Sequence, residues 1–463
     1  MISRFAGIIT APIYTRILGA EGYGLLDLLL SISAILIILA TMEMHSGYAR
    51  GYFKAKEKRE LEFLRGSVVL FFFGSYLLTL LLLLGLSKFT DFKFNLFDLS
   101  HLTPVVVGIL PVMIISLTLI TIQFEQKPKA YLIISVLSLV LTLIGGIFSV
   151  AYLDLGVNGV LWSNTISGFV IIFILSIVLP RYIKFKLSVS YLKEVAEYSI
   201  PIVPAVLGAW LNNYIGRIYI AGALSLSMLG IYSISFKVAL IMILAIGAFN
   251  QTWSPIANKM FEQENSEPHF AKALNYYLFS FSFIVFLITS TSPLIVSILA
   301  PKEFQPAIGF VGIIVMGLFW EGAKHIISSG NSWERKTYYN SIASISSGIT
   351  NLLFLHFFIK TGGLIIAAIG FTLGSIVQIS LLLYTSQKNH FIPYSYKSLL
   401  STFSMLIVYA FISYQSYSHL NLYGFILLVT ITGILISCVM YFSFFKVDER
   451  KEIVDFLKFN IQK

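Results

Sequence analysis

Apolar stretches of similar length, separated by short polar or charged breaks, run through the whole chain. Stretches such as 25–39, 68–86 and 160–179 approach the ~20 apolar residues that a helix needs to cross the hydrocarbon core of a bilayer. A backbone in lipid must satisfy its own hydrogen bonds, so each stretch is read as a helix. The pattern predicts an all-α, polytopic membrane protein with about fourteen transmembrane helices. They fall near 1–18, 23–45, 64–86, 103–124, 131–153, 158–179, 197–223, 228–250, 273–299, 308–328, 337–359, 363–385, 398–417 and 422–446.

The pattern also repeats. Gly24 and Gly230, Gly156 and Gly362, and Gly168 and Gly374 are each 206 residues apart. Apolar segments and their breaks stay in step across that interval without a gap. The chain therefore divides into two parallel six-helix lobes, 1–185 and 190–390, followed by two extra helices over 397–446 and a tail over 447–463. Parallel repeats of this kind are a transporter architecture, with the substrate site between the halves. Mapped back by the same interval, the segment 193–201 falls before residue 1, which leaves the first span short.

Composition narrows the class further. The chain is 57% hydrophobic and 12% charged, with a mean hydropathy of +0.85, against about 25% charged residues in soluble domains. The first apolar stretch leads straight into more membrane sequence and lacks a small-residue cleavage site, so it reads as a span and not a cleavable signal. Orientation follows from lysine and arginine. With the N-terminus inside, the inner loops collect Arg50, Lys54, Lys56, Lys58, Arg59, Arg65, Lys127, Lys129, Arg181, Lys184, Lys186, Lys193, Arg335, Lys336, Lys388, Lys397 and the basic tail from Lys446. The outer loops hold little beyond Lys88, Lys93, Lys302 and Lys360, which places both termini in the cytoplasm. The net charge of +10 is then anchoring at anionic membrane lipids and needs no nucleic acid. The lone cysteine, Cys438, lies in the last span and is read as a buried apolar residue.

Enzymatic chemistry finds no support. The largest outer loop, about 87–103, is too small for a folded catalytic domain, which argues against a membrane glycosyltransferase or polymerase. No glycine-rich phosphate loop occurs, and the seven histidines are scattered without metal-ligand spacing. Neither a cofactor nor a metal is expected.

Ionisable residues inside spans carry the functional information, because each is costly unless it faces protein, water or substrate. Lys237 lies deep in the eighth span; it is a cation for a phosphate or carboxylate, or a lysine paired to a neighbouring helix. Arg217, in the seventh span, follows Trp210, Asn212, Asn213 and Tyr214. That set suits a phosphate and a sugar chain, or interhelical hydrogen bonding with an interfacial aromatic belt. Arg16 closes the first span a turn after Pro12, where a bend is expected. It contacts substrate, anchors the helix, or pairs with Asp27. Arg50 closes the second span, either guiding an anionic head group or obeying the positive-inside rule. Asp27 and Glu43 are candidates for ion coupling, with structural salt bridges as the alternative. Glu321, Lys324 and His325 share one helical face at i, i+3 and i+4, as a proton or cation relay or as internal pairs. Pro201 and Pro204 make the seventh span kinkable, and the 15% aromatic content is assigned mostly to lipid-facing and interfacial surface.

The opening Pro12-Ile13-Tyr14-Thr15-Arg16-Ile17-Leu18-Gly19-Ala20-Glu21-Gly22-Tyr23-Gly24 resembles the start of bacterial O-antigen and capsular polysaccharide flippases. These belong to the multidrug/oligosaccharidyl-lipid/polysaccharide (MOP) exporter superfamily. Leu229-Gly230-Ile231-Tyr232-Ser233 and Leu155-Gly156-Val157-Asn158-Gly159-Val160 resemble later segments of the same family. The resemblance implies two six-helix lobes around a central cleft and two additional C-terminal helices. It implies an undecaprenyl-diphosphate-linked oligosaccharide moved from the inner to the outer leaflet of the bacterial plasma membrane, driven by H+ or Na+. A polysaccharide polymerase is implied as a partner. Arg16 and Arg217 match positions where such proteins often carry arginine. The sequence departs from the pattern at Gly216, where an acid often precedes that arginine. On this reading Lys237, Arg217 and Arg16 hold the diphosphate, and Trp210, Asn212 and Asn213 hold sugars. A multidrug exporter of the same superfamily and a lipid II or teichoic-type exporter are the alternatives.

Overall fold

A computed structural model describes residues 2–89, 99–178 and 186–444. Lys93, Arg181, Lys184, the tail over 447–463 and most of the inter-lobe linker lie outside the described residues. The described chain is helical, with no strand. In order come α1 (Ile2–Thr41), α2 (Met44–Glu57), α3 (Leu61–Phe89), α4 (Leu99–Phe124), α5 (Pro128–Ala151), α6 (Gly156–Val178), α7 (Val189–Ser199) and α8 (Val203–Ala223). Then follow α9 (Leu226–Met260), α10 (Glu267–Leu299), α11 (Ile308–Ile327), α12 (Ser329–Trp333), α13 (Tyr338–Gly362), α14 (Leu364–Asn389), α15 (Tyr396–His419) and α16 (Leu422–Phe444). Among the described residues, 12 helices are long and apolar enough to cross a membrane. The protein is a multi-pass membrane protein.

The first two predicted spans are one helical run, α1, broken at Gly19 (φ 65°, ψ −176°). Glycine meets this need because a side chain at that φ is strained. The bend expected at Pro12 thus falls seven residues later; Pro12 itself lies within the helix. The repeat counterpart of Gly19, Ser225, sits in the break between α8 and α9, so the interruption is shared by both copies. Pro201 behaves as expected from its missing N–H, lying in a 3-10 turn between α7 and α8. The second span stops at Thr41, where Met42 and Glu43 take left-handed angles and turn the chain into α2. Arg50 therefore lies on a separate, amphipathic α2, not at the end of a span.

Two compact units form, one ending at Ser233 and the other beginning at Ile234, so the first two turns of α9 pack within the first unit. At one end of the first unit, α2 lays Met44, Tyr48 and Tyr52 against Phe72 of α3, Met113 of α4 and Val195 of α7. In the second unit α11 is buried along nearly its whole length. Aromatic contacts in that unit include Tyr277–Phe281, with centroids 4.2 Å apart, and Phe236–Phe371 at 5.2 Å. Tyr48, Tyr52, Tyr232, Tyr277, Tyr409 and Phe72 are among the largest fully buried side chains. Part of the aromatic content is thus core: large, rigid rings bury area at little entropic cost. Cys438 corrects the expectation of a buried thiol, being exposed on α16. A single apolar thiol costs nothing against lipid.

Candidate functional site

In the first unit α1, α8 and the start of α9 converge on one buried ion pair. The Arg217 Nε lies 2.6 Å from Oδ2 of Asp27, and their side chains are only 8% and 14% exposed. The Ser233 hydroxyl donates to the same Oδ2 at 2.6 Å. Arg217 also donates from Nη1 to the Asn213 carbonyl at 2.6 Å, and its guanidinium lies 4.9 Å from the Tyr214 ring centroid. The carboxylate thus accepts two hydrogen bonds, one charge-assisted, which is what makes a buried charge tolerable. Tyr23 and Tyr232 are buried on the same helices.

Helix packing sets this geometry. A Cβ on Gly24 would collide with the Leu226 carbonyl, and one on Gly230 would collide with the Ala20 carbonyl. The two contacts are mates under the 206-residue repeat, since Leu226 is the counterpart of Ala20 and Gly230 of Gly24, so α1 and the start of α9 cross reciprocally about the glycine pair. Glycine at both positions lets the backbones touch. One turn further, Asp27 and Ser233 face each other, again 206 residues apart. Beyond them, the buried Ser31 donates its hydroxyl to the Asp27 carbonyl at 2.7 Å, and its own carbonyl accepts the Trp210 Nε1–H at 3.1 Å. Trp210 and Tyr214 stack with centroids 6.1 Å apart.

The structure thus gathers Asp27, Arg217, Trp210 and Asn213, while Asn212 is buried on the same helix. Asp27 takes Arg217 as its ion-pair partner, in place of the Arg16 pairing that the sequence leaves open. Arg16 is exposed, and its Nη1 donates to the Pro12 carbonyl at 2.6 Å. Arg217 finds its carboxylate on α1, at Asp27, while Gly216 approaches the Tyr232 ring. Ser233 is a site residue that the sequence reading misses. The repeat interval would find it, since it is the counterpart of Asp27.

Arg50 and Glu43 belong to a different part of the unit. Arg50 lies over the Tyr198 ring at 4.4 Å and lines a cleft of about 280 Å³ between α2 and α7, with Gly47, Gly51, Glu194 and Glu197. Lys54 pairs with Glu194 at 2.7 Å. The Tyr191 hydroxyl donates to Glu60 at 2.5 Å, which pushes the phenol up to about 12. Glu43 accepts from the Ser46 hydroxyl at 3.2 Å, a local turn contact.

In the second unit Lys237 is half-buried, roughly three turns into α9. Ser235 beside it donates to the Ala307 carbonyl at 2.8 Å. Glu321 and Lys324 are half-buried and His325 is exposed, with Lys324 and His325 in the last turn of α11. Cations are favoured there by the carbonyl ends of the helix. Among the described residues, no three His, Cys, Asp or Glu side chains gather as a metal site would require.

This helical arrangement is the fold of MOP-superfamily transporters. The lipid II flippase MurJ in its inward closed conformation is similar, with TM-score 0.62 at 16% identity over 93% of this chain and 98% of that one. An inward-facing multidrug resistance MATE family transporter of the MOP superfamily is similar with TM-score 0.67 at 14% identity, over 83% and 94%. A mutant form of the Vibrio cholerae MATE transporter VcmN gives TM-score 0.54 at 16% identity, over 84% and 93%. No curated protein matches the sequence. The profile of the polysaccharide biosynthesis protein family matches residues 13–314, well over half of the chain. The chain belongs to that family.

Proposed function

We propose that this protein is a flippase for an undecaprenyl-diphosphate-linked oligosaccharide, the repeat unit of an O-antigen, capsule or exopolysaccharide. It moves the unit from the inner to the outer leaflet of a bacterial plasma membrane by alternating access. The observation that carries the reading is membership of a polysaccharide biosynthesis family in a chain with a MOP transporter fold. Translocation requires no bond to be made or broken, so the protein acts as a transporter and not as an enzyme. Both termini lie in the cytoplasm, as the lysine and arginine distribution requires.

In this reading Lys237, Arg16 and Arg217 serve the diphosphate, Arg50 the inner mouth, and Trp210, Asn212 and Asn213 the sugars. Arg217 is held by Asp27 at rest. Proton or sodium binding at Asp27 would weaken that hold and present the guanidinium to an anion, which makes Asp27 the first coupling group. Glu43, Glu321, Lys324 and His325 are secondary coupling candidates. A polysaccharide polymerase is the partner to which the product passes.

Multidrug export is the second reading, favoured by the likeness to MATE transporters. A cationic drug needs a carboxylate to meet it, whereas Asp27 is already bound by Arg217 and Ser233. The sidedness of the lipid-linked oligosaccharide in a strain lacking the gene distinguishes the two. Flipping predicts precursor on the cytoplasmic face, cleared by re-expression. Normal sidedness and normal surface glycan would turn the reading to drug export.

A further inference from the structure

In the second unit, where α14 ends, one imidazole stands between two carboxylates from different elements. His390 Nε2 lies 3.2 Å from Oε1 of Glu267, the first residue of α10. Its Nδ1 lies 3.6 Å from Oε1 of Glu334, in the turn between α12 and α13. The ring stacks on Trp333 with centroids 4.2 Å apart and planes 9° from parallel.

Neighbouring contacts fix the ring in that place. Asn389 donates to the Asn331 side-chain oxygen at 2.8 Å and accepts from Lys336 at 3.2 Å. The Gly330 N–H donates to the Ser386 hydroxyl at 2.9 Å. The other charged or titratable residues on these segments are Glu264 just before α10 and His269 in its first turn, both exposed, Arg335 and Lys336 in the turn and Lys388 on α14; the carboxylates at the ring are Glu267 and Glu334.

A neutral imidazole has one N–H and one lone pair, so it satisfies one carboxylate and turns a lone pair toward the other. An imidazolium donates from both nitrogens, and its charge adds a cation–π attraction to the stacked indole. Histidine is also the side chain whose charge ordinarily changes at about pH 5–8. We propose that His390 is a protonation-dependent clasp joining the start of α10, the α12–α13 turn and the end of α14. It closes when the ring takes up a proton and loosens when the ring gives it up. With the orientation proposed above, the pH it reads is cytoplasmic. The clasp does not depend on what the protein transports.

Hydrogen exchange on the full-length protein in lipid nanodiscs tests it, at about pH 6 and about pH 8, after correction for intrinsic exchange rates. Segments 264–270, 329–337 and 386–394 should be several-fold better protected at the lower pH. His390→Phe keeps the stack and loses the charge; it should show the weaker protection at both values. His390→Arg keeps a permanent cation and should show the stronger protection at both. Equal protection of the native protein at the two pH values would overturn the proposal, as would native-like pH dependence in His390→Phe. If that variant does not fold, the Glu267→Gln/Glu334→Gln double variant replaces it. Loss of the pH dependence there supports the clasp, and its retention overturns it.

Discussion

Asp27 and Ser233 occupy the same register in the two copies of the repeat, and the Ser233 hydroxyl donates to the Asp27 carboxylate at 2.6 Å. Where a symmetric pair would oppose two identical side chains, the chain has placed an acid on one helix and a hydroxyl on the other. Arg217 supplies the countercharge; its register counterpart is Ala11, fully buried and unable to pair. The crossing is therefore symmetric in backbone and asymmetric in charge.

Removing one member of the pair should cost more than removing both. Asp27→Ala or Arg217→Ala leaves a buried charge alone, an effect of about 3–5 kcal/mol. The double variant should recover part of that loss in thermal denaturation of the purified protein. Ser233→Asp is the sharper probe, since it sets two carboxylates face to face. Its destabilisation should ease as pH falls and one of them takes up a proton.

Gly24 and Gly230 should not tolerate a side chain. Alanine at either position pushes a methyl into a main-chain carbonyl of the opposite helix, so α1 and the start of α9 must separate. Both variants should reach the membrane with transport reduced. Gly222→Ala on α8 is the control, because open space surrounds that position. Equal loss in all three would assign the effect to helix propensity rather than to the crossing.

Lys237 tests the diphosphate assignment without disturbing the ion pair. Lys237→Ala should abolish export at normal protein levels, while Lys237→Arg should keep a measurable part of it, because charge rather than shape is needed. Full export by Lys237→Ala would remove this lysine from the substrate path.

Much of the helical architecture was legible in the sequence, because lipid forces each apolar stretch into a helix. The break between the first two spans fell where the pattern placed it, at Gly19. What the pattern could not convey was pairing across long separations. Apolar periodicity is blind to which cation meets Asp27, so the sequence marks only the nearby Arg16, and Arg217, 190 residues away, goes unmarked as its partner. The turn at Met42–Glu43 was also hidden, since left-handed angles at non-glycine residues carry no compositional mark. Burial of tyrosines such as Tyr48, whose hydroxyl bonds Thr121 at 2.7 Å, likewise depends on a partner that composition does not reveal.

Flipping is measured in proteoliposomes containing the purified protein and an undecaprenyl-diphosphate-linked oligosaccharide labelled on its glycan. Flipping is read as the fraction of label that becomes accessible to a membrane-impermeant reagent. Native protein should raise this fraction well above that of protein-free vesicles, and Lys237→Ala should not. Native protein that leaves the fraction at the protein-free level, while driving efflux of a cationic dye from the same vesicles, would contradict the proposed flipping.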